Sequence, residues 1–428
     1  MMNPAMTTIA AQLLLGSALT LAVPAPVLPD LTPAPAPAAA IAQDAETPAS
    51  EPARRSEWPD TDSCPNALTP PEPTTTSEML APGQVGPTPP PVVVEGNCGV
   101  ATVRGFVMPE KIMAASFLVA DIDTGEIIAQ KDPHGRYRPA SIIKALLALV
   151  ASRELPLDRV VVASHESAAQ QGSSVGIGEG GEYTVEQLLQ GLLMGSGNDA
   201  AHALAQELGG DEATLRKINE LAADLGTTDT YAATYSGLDA PGMSSSAHDL
   251  GLIYRAAYRD PALARIMNTE TVPFPGYGDV PGYELGNDNG LFMNDPDGIG
   301  GKTGYTDDAN HTFVGAMDRG GERLMVILLD TTLEGGRAWE QAQRLLHAAY
   351  DADAREPIGA LTPVAAPTTA TPTPGQTPST TPAGSETERS QDAQTLSILL
   401  PAIVALVALV SVVASMARRR NPAGRHRR

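Results

Sequence analysis

The sequence predicts an α+β fold in which one antiparallel sheet is built from both ends of a single domain, with helices packed on it and an inserted helical region. Three observations predict this arrangement. The stretch ASFLVADIDTGEIIAQKD reads as two strands around a turn at 123–125, a helix-rich segment follows, and the strand pair HTFVGAMDR and ERLMVILLD comes near the end. Strands at both ends with helices between them favour one shared sheet over two separate domains.

The helical stretches follow one another between the two strand pairs. SIIKALLALVASREL is apolar throughout, and TVEQLLQGLLM begins with Thr184 and has Gln187 three residues later, the pattern of a capping box. SGND interrupts the helical pattern, AAHALAQELGG resumes it, and EATLRKINELAADLG and RAWEQAQRLLHAAYDAD are amphipathic. These elements predict one folded domain over residues 99–352.

The segments outside this domain predict export and membrane attachment. Residues 1–42 read as a signal peptide with an apolar run and A-x-A sites, although no Lys or Arg precedes Arg54. Residues 43–98 and 353–394 are rich in Pro and Thr and are expected to be disordered linkers. Residues 395–417 carry no charge and predict a transmembrane helix, and the basic tail 418–428 predicts a single-pass protein with its domain outside the cell and its tail in the cytoplasm.

The net charge, the cysteines and the histidines indicate which partners, cross-links and metal sites to expect. The formal net charge is −22 although six arginines crowd the last eleven residues, and so acidic a chain argues against nucleic acid as a partner. Cys64 and Cys98 are the two cysteines; they could be free thiols, but the export signals favour a disulfide between them. The seven histidines show no metal-ligand spacing, so no metal is expected.

The motif S-x-x-K occurs at the start of the apolar helix. Ser141 and Lys144 are three residues apart, which places both side chains on one helical face. A serine there can act as a nucleophile if a base takes its proton, and a lysine can be that base if burial or a cationic neighbour lowers its pKa. Alone, the motif is weak evidence, and an ordinary helix start with a surface lysine explains it better.

Two further motifs follow at boundaries between elements. Ser196 and Asn198 lie in GSGNDA, at the break between two helices, where a hydroxyl and an amide could relay a proton and hold a substrate amide. Lys302, Thr303 and Gly304 lie in GGKTGYT just before a strand, where a cation and a hydroxyl could bind a carboxylate. Each alone is compatible with ordinary turn chemistry. S-x-x-K, S-x-N and K-T-G in this order form the signature of the penicillin-recognising serine enzymes.

The text around these motifs resembles the D-alanyl-D-alanine carboxypeptidases, the low-molecular-mass penicillin-binding proteins, over about residues 100–350. The resemblance implies a β-lactamase/DD-peptidase-like fold and a serine peptidase that needs no cofactor. Its substrates would be peptidoglycan stem peptides ending in D-Ala-D-Ala, and β-lactams would be covalent inhibitors. Some members of this family have a second, all-β domain after the catalytic one. We expect no such domain here, because a Pro/Thr-rich segment begins near residue 361.

The resemblance also implies a role for each motif residue. Ser141 would form the acyl-enzyme, Lys144 would be its general base and Ser196 would pass the proton to the leaving D-alanine. Asn198 would hold the substrate backbone, and Lys302, Thr303 and Gly304 would bind the terminal carboxylate. The backbone N–H groups of Ser141 and Tyr305 would form the oxyanion hole. Arg337 is the candidate for an arginine that helps to hold the carboxylate, although its spacing to the following RLL is one residue off.

Other functions remain open from the sequence. A class A β-lactamase shares the fold and similar motifs, but it needs a glutamate within E-x-x-L-N, and the nearest match, Glu212, lacks the Asn. A non-catalytic cell-wall-binding protein on the same fold is the third hypothesis. Ser174 in GSSVG fits G-x-S-x-G, but the strand and helix that this motif needs do not flank it.

Overall fold

The structure is a computed structural model that describes residues 55–92, 96–352 and 356–363. The predicted signal peptide (1–42), transmembrane helix (395–417) and basic tail (418–428) lie outside these residues, as does most of the predicted stalk. Within the described ranges, every helix is too short or too polar to cross a membrane.

The predicted strand pairs and helices occur in the predicted order, and further strands and helices that were not predicted lie between and around them. The strands are β1 (Val100–Thr102), β2 (Ser116–Asp121), β3 (Glu126–Lys131), β4 (Val160–Val162), β5 (Glu182–Thr184), β6 (Thr271–Phe274), β7 (Tyr283–Gly286), β8 (Gly298–Thr306), β9 (Asn310–Arg319), β10 (Glu322–Thr331) and β11 (Gly359–Ala360). The helices are α1 (Lys144–Glu154), α2 (His165–Ala168), α3 (Val185–Met194), α4 (Asn198–Glu207), α5 (Asp211–Asp224), α6 (Ala247–Arg259), α7 (Pro261–Met267), α8 (Gly290–Asn294) and α9 (Ala338–Tyr350).

The main sheet joins the two ends of the domain, which confirms the predicted antiparallel sheet. Its strand order is β1-β3-β2-β10-β9-β8, with β11 added beside β3. Strand β10 lies between β2 and β9 and pairs antiparallel with both. Strand β8 is therefore an edge strand, and its outer side pairs with no further strand of the described sheet.

Each face of the sheet carries its own apolar core. Along β2, Leu118 and Ala120 belong to one core and Phe117 and Val119 to the other, as the two-residue period of a strand requires. Helix α9 covers one face, while α1, α3, α4 and α6 form the larger core on the other. Helix α1 is buried from residue 144 to residue 151, which explains why its sequence is apolar on every side.

Helix α3 begins with the capping box that the sequence predicts. The Thr184 hydroxyl accepts a hydrogen bond from the Gln187 backbone N–H, and the Gln187 side chain accepts one from the Thr184 backbone N–H. These two bonds satisfy backbone donors that the first helical turn leaves unpaired. They fix the start of α3, whose far end leads to Ser196.

The segment expected to be a linker, residues 43–98, is different where the structure describes it. Cys64 and Cys98 form a disulfide. Residues 64–92 and 96–98, which we call the strap, lie against the domain without forming a helix or strand. The strap is ordered because side chains of the domain bond its backbone carbonyls, among them the Arg136 guanidinium at 2.9 Å from Leu68 O. No periodic pattern within the strap encodes such contacts.

The domain also extends past residue 352, where the stalk was expected to begin. Strand β11 pairs antiparallel with β3, with Gly359 opposite Ile127. Leu361 is buried in the larger core. The chain therefore leaves the domain beside its N-terminal strands, after residue 361.

Candidate active site

Ser141 lies in a 3-10 turn, Ala140–Ile143, that runs directly into α1. Ala140 has a φ of 49°, a left-handed conformation that non-glycine residues seldom adopt. The Thr312 hydroxyl of β9 donates a hydrogen bond of 2.8 Å to Pro139 O and so ties this turn to the sheet. Strained backbone held by its surroundings is common at functional sites, and here it immediately precedes the candidate nucleophile.

Lys144 is fully buried and its amine contacts three oxygen atoms. Nζ lies 2.8 Å from Ser141 Oγ, 2.7 Å from Asn198 Oδ1 and 2.5 Å from Ser236 O. The last two oxygens are carbonyl oxygens and can only accept. A neutral amine has two N–H groups, so donating to both carbonyls directs its lone pair toward the Ser141 hydroxyl.

The surroundings of Lys144 favour this neutral form. Burial holds the pKa of Lys144 well below its ordinary value, and the positive charge of Lys302 lowers it further. The carboxylates of Asp288 and Asp199 oppose the shift by attracting the ammonium. Desolvation is the dominant cause, and it follows from the position of Lys144 at the start of a helix that is buried on all sides.

Ser196 and Asn198 lie at the junction of α3 and α4. Ser196 is buried with a φ of 60°, a second left-handed residue beside the candidate nucleophile. Asn198 begins α4; its amide oxygen contacts Lys144, and its amide nitrogen donates to Gln171 O at 2.6 Å. In this structure the amide expected to hold substrate is therefore engaged by Lys144 and Gln171, and it positions the base.

Strand β8 brings the third motif against the first. A methyl group added to Gly304 would lie 3.0 Å from Ser141 N and 2.3 Å from Thr312 Oγ1. Only a residue without a side chain allows this close approach. The edge strand and the backbone N–H of the nucleophile thus border one space, as an oxyanion hole requires.

Lys302 and Thr303 face a carboxylate that sequence reasoning missed. Thr303 Oγ1 donates a hydrogen bond of 2.8 Å to Asp288 Oδ2, and Lys302 Nζ lies 3.8 Å from the same oxygen. Burial lowers the pKa of Lys302, and Asp288 opposes this. No motif marks Asp288, which precedes the Asn289 cap of α8. The second missed residue, Ser236, acts through its backbone carbonyl, which sequence alone does not signal.

One open cleft contains side chains from all three motifs. Its lining comprises Ser141, Ser173, Gly195, Ser196, Asp288, Thr303, Gly304, Tyr305 and His311. Tyr305 is half exposed, and its ring packs on His311 with 4.8 Å between ring centroids. Arg337 lies in an adjoining cavity that shares Asp288, Thr303 and Gly304 with this cleft, so it borders the candidate carboxylate site without lining the space around Ser141.

The alternative nucleophile and a metal site find no support among the described residues. Ser174 donates its hydroxyl hydrogen to Asp199 Oδ2 at 2.6 Å, a contact that holds the loop before β5. No group of three or more potential metal ligands occurs in the described part of the chain.

Comparison with known proteins agrees with this geometry. A family model described as D-alanyl-D-alanine carboxypeptidase matches residues 104–332. The chain is 44% identical to the D-alanyl-D-alanine carboxypeptidase DacB2 of Mycobacterium tuberculosis over 252 residues, 58% of this chain and 86% of that protein. It is 30% identical to DacD of Escherichia coli, where the match covers 56% of this chain and 63% of that protein.

Solved structures show the same fold. A crystal structure of D-alanyl-D-alanine carboxypeptidase from M. tuberculosis aligns with a TM-score of 0.58 at 41% identity, covering 60% of this chain and 98% of that one. A mutant of Streptomyces K15 DD-transpeptidase aligns with a TM-score of 0.54 at 25% identity, covering 57% of this chain and 99% of that one. With more than half of its residues matched by the family model, the chain belongs to the D-alanyl-D-alanine carboxypeptidase family.

Proposed function

We propose that this protein is a serine-type D-alanyl-D-alanine carboxypeptidase that removes the terminal D-alanine from peptidoglycan stem peptides through an acyl-enzyme on Ser141. The observation that carries the proposal is the buried Lys144 amine, 2.8 Å from Ser141 Oγ and bonded to two carbonyl oxygens. This arrangement supplies a nucleophile and a base in hydrogen-bond contact, as covalent catalysis by serine requires.

Acylation begins when Lys144 takes the proton of Ser141 and Oγ attacks the carbonyl between the two D-alanines. The developing oxyanion accepts hydrogen bonds from the backbone N–H groups of Ser141 and Tyr305. Lys144 then returns the proton through the Ser196 hydroxyl to the leaving amine, and the C–N bond breaks. Free D-alanine departs, and the rest of the peptide stays on Ser141 as an ester.

Deacylation uses the same base. Lys144 is neutral again after acylation and can take a proton from water as the water attacks the ester carbonyl. The proton returns to Ser141 Oγ when the C–O bond breaks. Lys302 and Thr303 bind the terminal carboxylate of the substrate beforehand, and Arg337 adds positive charge from the neighbouring cavity.

We further propose that the protein acts outside the cell on peptidoglycan and is held at the cell membrane. The apolar run 395–417 followed by arginines supports a C-terminal membrane helix with a cytoplasmic tail, and the apolar N-terminus supports export. The disulfide of the strap suits an oxidising compartment. Protease treatment of intact cells should degrade the domain and spare the tail; protection of the domain would contradict this placement.

The central experiment incubates the full chain with a pentapeptide ending in D-Ala-D-Ala and, separately, with a fluorescent penicillin. We expect mass spectrometry to show loss of one alanine and the penicillin to label the protein, and Ser141→Ala to abolish both. If the wild-type chain shows neither signal, the proposal is wrong. Rapid turnover of penicillin without a lasting label would favour the class A β-lactamase. That enzyme needs a glutamate, and no glutamate lines the described cleft. Binding without alanine release would favour a non-catalytic role.

A further inference from the structure

The strap lies outside the region that the family model matches, which begins at residue 104. Its two ends are joined by the Cys64–Cys98 disulfide, and between them it lines a cavity together with Arg138, Tyr231 and residues 241–244 of the domain. Pro87 packs over Gly242, where an added methyl group would lie 2.3 Å from its ring. So close a fit indicates a specific packing contact between the strap and the domain.

On one side the strap binds the segment that carries the nucleophile. Arg138 is 3% exposed and lies three residues before Ser141. Its Nε donates a hydrogen bond of 2.5 Å to Glu78 Oε1, and its Nη1 donates one of 2.7 Å to Pro71 O. The strap also binds Arg136, whose backbone N–H donates a hydrogen bond of 2.8 Å to Asn66 O.

On the other side the strap binds the turn that follows strand β8. The Asp308 carboxylate accepts five hydrogen bonds from the strap, at 2.5–2.8 Å. The donors are the backbone N–H and hydroxyl groups of Thr74 and Thr75 and the hydroxyl of Ser77. Partial burial raises the pKa of Asp308, but these bonds outweigh it and hold that pKa below the usual range. Asp308 lies three residues beyond Tyr305, so residues 74–77, which we call the tip of the strap, hold the end of β8.

We propose that the strap is a clamp that fixes the separation between Ser141 and strand β8, and that Glu78 and Asp308 are its positioning residues. The inference rests on the proposed function, which takes one oxyanion-hole donor from Ser141 and the other from Tyr305 on β8. The clamp holds the first through Arg138 and the second through Asp308. Its function is to keep the two donors converged on one oxygen atom.

The clamp should affect the transition state more than substrate binding. The oxyanion forms only as Oγ attacks, so donors that drift apart weaken a contact that the bound substrate does not yet make fully. We therefore expect loosening to lower kcat and the rate of acylation while KM changes little. Outright loss of an oxyanion-hole donor costs about 10²–10³-fold in kcat, so partial misplacement should cost roughly tenfold.

The test compares a tip variant, Thr74→Ala/Thr75→Ala/Ser77→Ala, with the matched control Thr76→Ala in the full chain. Thr76 lies between the bonded residues and is exposed, and its hydroxyl makes no hydrogen bond to any described residue. We expect the tip variant to lose roughly tenfold in kcat and in the acylation rate with fluorescent penicillin at unchanged KM. Thr76→Ala should match the wild type.

A double-mutant cycle with Asp308→Ala separates clamping from general stability. If the strap acts through Asp308, the tip substitutions should lower kcat in the wild-type background and add nothing when Asp308→Ala is present. A tip variant with a lower Tm but wild-type kcat at 25 °C would overturn the proposal. Should the triple variant fail to fold, Thr75→Ala and Glu78→Gln carry the same test.

The outcomes distinguish this inference from the proposed function. If the wild type releases no D-alanine but its Ser141 is still acylated by penicillin, the proposed function fails, while the acylation rates of the variants still test the clamp. If the wild type releases D-alanine and the tip variant does so at the same rate, the clamp alone is refuted.

Discussion

Replacing Gly304 by alanine should separate strand β8 from the nucleophile. The added methyl group would lie 2.3 Å from Thr312 Oγ1 and 3.0 Å from Ser141 N. Thr312 is buried and its hydroxyl is bonded to Pro139 O, so rotating it away would sacrifice that bond. The strand must move instead.

The size of the effect follows from these distances. Non-bonded heavy atoms settle near about 3.5 Å, so relieving the contact with Thr312 takes a shift of about 1 Å. A misplacement of about 1 Å at a catalytic centre can cost roughly 10²-fold in rate, equivalent to about 2.7 kcal/mol. We therefore expect kcat/KM of Gly304→Ala to fall at least about 10²-fold.

The assay measures D-alanine release and, independently, the rate of Ser141 acylation by fluorescent penicillin. Gly286→Ala is the matched control, because Gly286 also lies in a strand and no heavy atom lies within 4 Å of an added methyl group. We expect this control to keep wild-type rates. If Gly304→Ala is acylated as fast as the wild type, β8 does not contribute to the oxyanion hole as we propose.

Three further predictions concern the base. Lys144→Ala should slow acylation about 10²–10⁴-fold, measured with fluorescent penicillin. A smaller loss would mean that a group other than Lys144 removes the proton of Ser141. Asp288→Asn removes a charge that raises the pKa of Lys144, so the acid limb of kcat/KM should move to lower pH; an unchanged or higher limb would contradict the assignment. Asn198→Asp places a negative charge at the position of the amide oxygen that lies 2.7 Å from Lys144 Nζ. This charge stabilises the ammonium form of Lys144, so the acid limb of kcat/KM should move to higher pH by about 1–3 units. Shifts of the same sign in both variants would exclude Lys144 as the titrating base.

Much of the fold could be predicted because the signals are local. The turn at 123–125, the capping box of Thr184 and Gln187, and the apolar pattern of the predicted strands and helices are each set by neighbouring residues. The order of strands in a sheet depends on contacts between distant residues. The presence of strands at both ends of the domain, with helices between them, nevertheless indicated that both strand pairs belong to one sheet. The three motifs predicted the candidate site because each is short and distinctive. S-x-x-K and S-x-N lie at element boundaries as expected, whereas K-T-G lies inside β8 and not in a turn before a strand.

What sequence reasoning missed depends on contacts between distant residues. The strap reads as a linker because it has no periodicity, and only the fold brings Asp308 to the tip of the strap, more than 200 positions along the chain. Asp288 bears no motif and becomes part of the site only because β8 places Thr303 beside it. Ser236 contributes a backbone carbonyl, which any residue type could supply.

The position of β10 between β2 and β9 has a consequence for biosynthesis. Leu324 of β10 pairs with Asp121 of β2, and the two are separated by roughly 200 residues of chain. A ribosome adds about 5–20 residues per second. The hairpin of β2 and β3 is therefore synthesised roughly 10–40 s before β10, the strand that pairs with β2. Ser141 and Lys144 are made early, but the sheet that brings β8 to them closes only after residue 331 has emerged. A nascent chain therefore carries its nucleophile in an incomplete and inactive site until nearly the whole domain has been synthesised.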